Sequence, residues 1–165
     1  MAPAKSRNPA RPRPGESAPI ATLVYASTAM LGLQAIHAID HLSFQGRALP
    51  VPVAALGLVE SLAVGWALLL ALRGDRHAPL AAALAGAFIA AAFAAVHLAP
   101  NWGLLSDPYS EASLGPFSWA VMLVGSAAST TFALVGLSLL RSGLADRARS
   151  CPGEGQTPGE DTPQA

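Results

Sequence analysis

Three side chains able to hold a metal or move a proton, with an amide beside them, stand close together as Gln34-x-x-His37-x-x-Asp40-His41. On a helix, residues three and four apart share a face, so Gln34, His37 and His41 line up and Asp40 lies at the margin. Two imidazoles at i and i+4 can meet one ion. With a third nitrogen or a carboxylate they complete a tetrahedral zinc site. Two histidines and one carboxylate would suit non-haem iron instead. Asp40 is then a metal ligand or an acceptor that orients a histidine. Two more residues of the same chemistry, Glu60 and His97, lie far along the chain. His97 with His37 or His41 would also suit haem b held between two helices. Glu60 inside a bilayer, with histidines above it, would suit proton or cation movement.

Whether these residues meet depends on the elements that carry them. Of the 165 residues, 52% are hydrophobic and only 12% are charged, about half the usual charged share of a soluble chain. Mean hydropathy is +0.42. Charges gather near the N-terminus, in one short loop and in the C-terminal tail, the pattern a bilayer imposes because charge is costly in hydrocarbon. Four stretches reach the roughly 20 apolar residues that a spanning helix needs: 20–42, 51–72, 79–98 and 117–140. Prolines punctuate them: Pro50 and Pro52 open the second, Pro79 opens the third and Pro100 closes it, and Pro116 precedes the fourth. The expected fold is all-α, a four-helix up-down bundle spanning the membrane. Residues 1–19 are basic and proline-rich, and 141–165 are rich in polar residues with Pro and Gly toward the end; both read as disordered tails.

Lysine and arginine set the orientation. Lys5, Arg7, Arg11 and Arg13 precede the first span, Arg73 and Arg76 follow the second, and Arg141, Arg147 and Arg149 follow the fourth. The other two loops hold only Arg47. Four spans put all three basic segments on one side, so both termini are expected in the cytoplasm and the protein in the plasma membrane. The outer side then receives the ends of the first and third helices and the start of the second. His37, Asp40, His41 and His97 share one layer there, with Glu60 about 13 Å in from the outer end of its helix, at 1.5 Å per residue. His77, the fourth histidine of the sequence, falls in the cytoplasmic loop and reads as solvated. Above the layer runs the loop 101–111, with Asn101, Asp107, Tyr109 and Glu111 but no lysine or arginine. That loop is a candidate lid over a cation. The competing reading of the whole cluster is polar contacts between helices, with nothing bound.

Small residues must bring the helices together, because lipid removes the hydrophobic drive for their association. Gly57, Ser61 and Gly65 form a ridge on the second helix, Ala81 to Ala95 with Gly86 a smooth face on the third, and residues 125–131 another on the fourth. These faces could also take a second copy or another membrane protein. Trp102 and Trp119 suit the membrane–water interface.

Other functions are disfavoured. The net charge is zero, with no basic patch for nucleic acid. A lone cysteine, Cys151, excludes an intrachain disulfide framework and a CxxC redox motif. Ser106 and Ser110 have no paired base at a recognisable spacing, and no phosphate-binding glycine loop occurs. The four-helix layout resembles small multidrug transporters, but those place their glutamate in the first helix and Glu60 is in the second. Three functions are therefore weighed: a metal- or haem-dependent membrane protein, a small proton-coupled transporter using Glu60, and a non-catalytic membrane component.

Overall fold

The computed structural model describes residues 17–46 and 49–150. Arg47, Cys151 and most of the two expected tails lie outside the described residues. Among those described, the chain is all-helical and has no strand: α1 is Ser17–Ser43, α2 Val51–Leu72, α3 Ala78–Phe93 and α4 Pro116–Ser150. A π-helical turn, Ala94–Leu98, continues α3, and a short 3-10 turn, Tyr109–Glu111, lies in the following loop. All four long helices are long and apolar enough to cross a membrane.

Three of the four helices follow the expected spans closely. The fourth does not stop at 140 but continues to Ser150. Its last stretch, Arg141-Ser142-Gly143-Leu144-Ala145-Asp146-Arg147-Ala148-Arg149, is mostly good helix formers and meets no proline before Pro152. Loss of apolarity ends a membrane span; it does not end a helix.

Each helix packs on its neighbours in sequence, and α4 closes the ring against α1. Side-chain contacts described below tie the second half of α1 to the middle of α2, the end of α3 and the start of α4, so the bundle runs up and down. The core is a thin column that includes Leu23, Met30, Val64, Ile89, Met122 and Phe132. Leu58, Leu62, Trp66, Leu84, Leu123 and Leu134 face outward, while Ser27, Gln34, Asp40, Glu60, His97 and Ser129 are buried. Apolar outside and polar inside is the reverse of a water-soluble bundle.

The small residues are used unequally. A Cβ added at Gly86 would stand 2.5 Å from the Ala133 backbone nitrogen, and one at Gly136 would stand 2.5 Å from that of Ala83. The two glycines thus let α3 and α4 touch backbone to backbone. At Gly125 the ring of Phe93 fills the space a Cβ would need, at 2.9 Å. The α2 ridge behaves otherwise: nothing lies within 4 Å of a Cβ at Gly57 or Gly65. The expected close packing through this ridge is absent within the chain, because α2 meets its neighbours through Val53, Glu60, Val64, Ala67 and Ala71 instead.

Candidate metal centre

The cluster begins on α1, where helical spacing puts Gln34, His37 and His41 on one face. His37 Nε2 and His41 Nε2 are 3.2 Å apart. The third imidazole comes from α3, on its π turn. There the Ala99 N–H reaches back five residues to Ala94 O at 3.0 Å, and Pro100 follows without an N–H to offer. The widened turn turns two carbonyls to the loop: the Trp102 indole N–H donates to Ala95 O at 2.6 Å, and the Asp107 N–H donates to Val96 O at 2.9 Å. π turns occur often at functional sites, and this one presents His97 to α1. The His97 ring centroid is 5.3 Å from that of His37 and 5.5 Å from that of His41. One ligand atom from each of the three residues fits within a mutual 4.8 Å.

The loop between α3 and α4 supplies what stands behind the imidazoles. His97 Nδ1–H donates to the Asp107 backbone carbonyl at 3.1 Å. The Asp107 carboxylate lies 3.8 Å from His41 Nδ1 and 4.0 Å from His97 Nδ1. A proton held on Nδ1 leaves the Nε2 lone pair for a metal, and an acceptor behind the ring fixes its orientation. His37 Nδ1 is buried and has no hydrogen-bond partner among the described residues; its ring rests on Phe93, centroids 4.7 Å apart.

The expected lid residues divide into two pairs. Asp107 and Tyr109 are buried, and the Tyr109 ring lies 4.7 Å from that of His97 and 5.6 Å from that of Trp119. Asn101 and Glu111 stay on the exposed rim and brace the loop. The Asn101 N–H donates to Glu111 Oε1 at 3.1 Å. Asn101 Oδ1 accepts from the Gly103 N–H and the Ser106 hydroxyl. Trp102 is half exposed and Trp119 partly buried.

Asp40 is placed otherwise than a ligand. It is fully buried, and both its oxygens are engaged: Ser118 Oγ donates to Oδ1 at 2.7 Å and Gln45 Nε2 to Oδ2 at 2.8 Å. Gln45 Nε2 also donates to the Tyr109 hydroxyl at 2.8 Å. Asp40 therefore ties α1 to α4 and to the loop, and the group fit to share an ion is His37, His41 and His97. Gln45 and Ser118 escape sequence reading, since an amide just past the end of α1 and a hydroxyl in the first turn of α4 carry no pattern of their own.

Glu60 does lie beneath the cluster. It is buried on α2 and accepts from Gln34 Nε2 at 3.2 Å. Gln34 is one turn below His37. Between α1, α2 and α3 is a cavity of about 330 Å³ whose wall contains His37, His41, His97, Gln34 and Glu60. His77 is remote from all of this, paired with Asp75 in the loop between α2 and α3 at 2.9 Å.

The arrangement is a set of three nitrogen donors, backed by a carboxylate, beside a chamber that holds a second carboxylate. No family model, curated protein or solved structure matches the chain, so its function is read from these residues.

Proposed function

We propose that the chain is a multi-pass protein of the plasma membrane, both termini cytoplasmic, that binds a transition-metal ion through His37, His41 and His97. The observation that carries this reading is the convergence of three imidazoles from two helices, with Asp107 behind two of them. Two nitrogens bound to one tetrahedral metal stand roughly 3.3 Å apart, close to the 3.2 Å between His37 and His41. Three protein nitrogens leave a coordination position for a water or substrate, the pattern of catalytic rather than structural zinc. A bound ion would supply Lewis acidity, and Glu60 on the shared cavity wall would accept or return a proton. The nitrogen donors favour zinc. Iron held by two histidines and a carboxylate fits less well, since Asp40 is committed to Ser118 and Gln45. Haem b also fits less well: the three rings contact one another edge-to-face or stacked, and a porphyrin needs a slot of its own width between axial ligands.

A second reading rests on Glu60. A carboxyl buried in a spanning helix and hydrogen-bonded to Gln34 has the character of a proton-coupling group. In that reading Glu60→Gln folds and retains any metal but abolishes coupled transport; normal transport by the variant would exclude it.

The test is elemental analysis of protein purified in mild detergent. About one zinc or iron per chain is expected, falling to background in His37→Ala/His41→Ala. A well-folded, metal-free wild type that takes up no zinc or iron on titration would remove the reading. The orientation is checked through Cys151, the one cysteine in the sequence. An impermeant maleimide should label it only after the cells are opened.

A further inference from the structure

The cavity next to the histidines differs from a simple ion site in size and in wall chemistry. At about 330 Å³ it reaches the lower end of the range for small-molecule pockets, well beyond what one metal and its water need. Its polar groups are the histidines with Gln34, Glu60 and Ser61, while Val53, Ala54, Leu56, Ala92, Phe93 and Val96 supply apolar wall. Leu42 and Leu58 also line it, yet they are 82% and 62% exposed on the outside of α1 and α2. The chamber thus communicates with the apolar outer face of the bundle, the face that lipid would cover.

We infer that this cavity binds a hydroxyl-bearing, single-chain amphiphile drawn from the bilayer, with its hydroxyl between Glu60 and the three histidines. This rests on the metal reading for one contact of the head group and on the cavity wall for the rest. The choice of head group follows from what the two poles accept. Glu60 takes a hydrogen bond and a metal takes a lone pair. A hydroxyl provides both from one atom. An ammonium head has no lone pair and is repelled by the ion. A carboxylate head has no proton to give and is repelled by Glu60. The apolar wall removes the first part of the chain from water, and the remainder extends past Leu42 and Leu58 into lipid.

Gly57 makes the inference testable. It lines the cavity, and nothing lies within 4 Å of where its Cβ would stand. Leucine there would start from open space at its Cβ, extend into the chamber and favour the helix. Gly65 is equally uncrowded but lies outside the cavity wall, so Gly65→Leu is a matched control. Full-length protein in phosphatidylcholine vesicles is irradiated with a dodecanol carrying a mid-chain diazirine, and labelled peptides are mapped by mass spectrometry. Metal content is measured on the same samples. Labelling is expected on α1 and α2 around the cavity, suppressed by excess plain dodecanol. It should fall at least about tenfold in Gly57→Leu and persist in Gly65→Leu. The methyl ether of the probe should label weakly. Equal labelling of Gly57→Leu and wild type, or equal labelling by alcohol and ether, overturns the proposal even if metal is bound. A wild type without metal that still shows Gly57-sensitive, alcohol-selective labelling removes the metal reading and leaves the amphiphile site standing.

Discussion

The two sides of the bundle treat glycine in opposite ways. Between α3 and α4, Gly86 and Gly136 are placed where a single added carbon would strike backbone at 2.5 Å. On α2, Gly57 and Gly65 face open space. One side is a seam closed to contact distance, and the other borders a chamber that collects the histidines and Glu60. The contrast shows that a small-residue stripe does not by itself identify a packing surface. In lipid, a missing side chain either lets a neighbouring backbone in or leaves room for something else. A rigid α3–α4 pair also gives His97 a fixed platform from which to meet α1.

The largest expected effect comes from breaking the seam. Gly86→Leu or Gly136→Leu should cost at least about 3 kcal/mol, at or above the usual range for overpacking, because the obstacle is backbone and cannot rotate aside. Thermal unfolding in detergent should show loss of the cooperative transition, whereas Gly57→Leu should melt near wild type. If both sides tolerate leucine equally, the contrast is void. Next in size is Asp107→Ala, which leaves the seam intact and removes the carboxylate behind His41 and His97. Metal affinity should fall roughly 10–100-fold with little change in melting; an unchanged affinity would mean that Asp107 does not orient the ligands.

Ser118→Ala probes the other buried carboxylate. It strips Asp40 of its 2.7 Å hydrogen bond from α4 and should cost about 1–3 kcal/mol while metal stoichiometry stays at wild-type level. A fall in metal content instead would return Asp40 to the ligand set. The smallest effect belongs to the loop between α2 and α3. The His77 backbone N–H donates to Asp75 and, with the His77 ring, holds its carboxyl below the ordinary value of 3.8. A depressed folded-state value means that the contribution is present above the unfolded value and lost as the pH falls through the folded one. Asp75→Asn should therefore lower stability slightly at pH 7, where the contribution is present, and remove the decline that the wild type shows below about pH 4. A loss of metal in this variant would contradict the separation of the two ends.

Much of the bundle is legible in the sequence. Length and apolarity mark four helices, and the i, i+4 spacing of His37 and His41 puts them on a shared face. Connectivity brings His97 and Glu60 to them, because three short or predictable crossings leave few alternatives. What the sequence hides is whatever depends on tertiary approach. Asp40 reads as a ligand because it sits one residue from His41, yet one residue is about 100° around a helix, enough to aim it at Ser118. Asp107 is visible only as a lid residue, since nothing in an irregular loop reveals which helix turn its backbone will meet. Gly136 is indistinguishable in the sequence from the other glycines, because only its neighbour Ala83 sets it apart. The end of α4 falls beyond 140 because apolarity, the signal for a span, is silent about a helix that continues past it.

The π turn at Ala94–Leu98 makes the backing of the site sensitive to chain length rather than to residue type. One residue too many is accommodated in that turn. Deleting Ala95 would let α3 run on as ordinary α-helix, because the Ala99 N–H would still meet Ala94 O, now four residues back. His97 would keep roughly its direction, but the Ala95 carbonyl that accepts from the Trp102 indole would be gone. Every candidate ligand would still be in place, held less firmly to the loop that backs two of them.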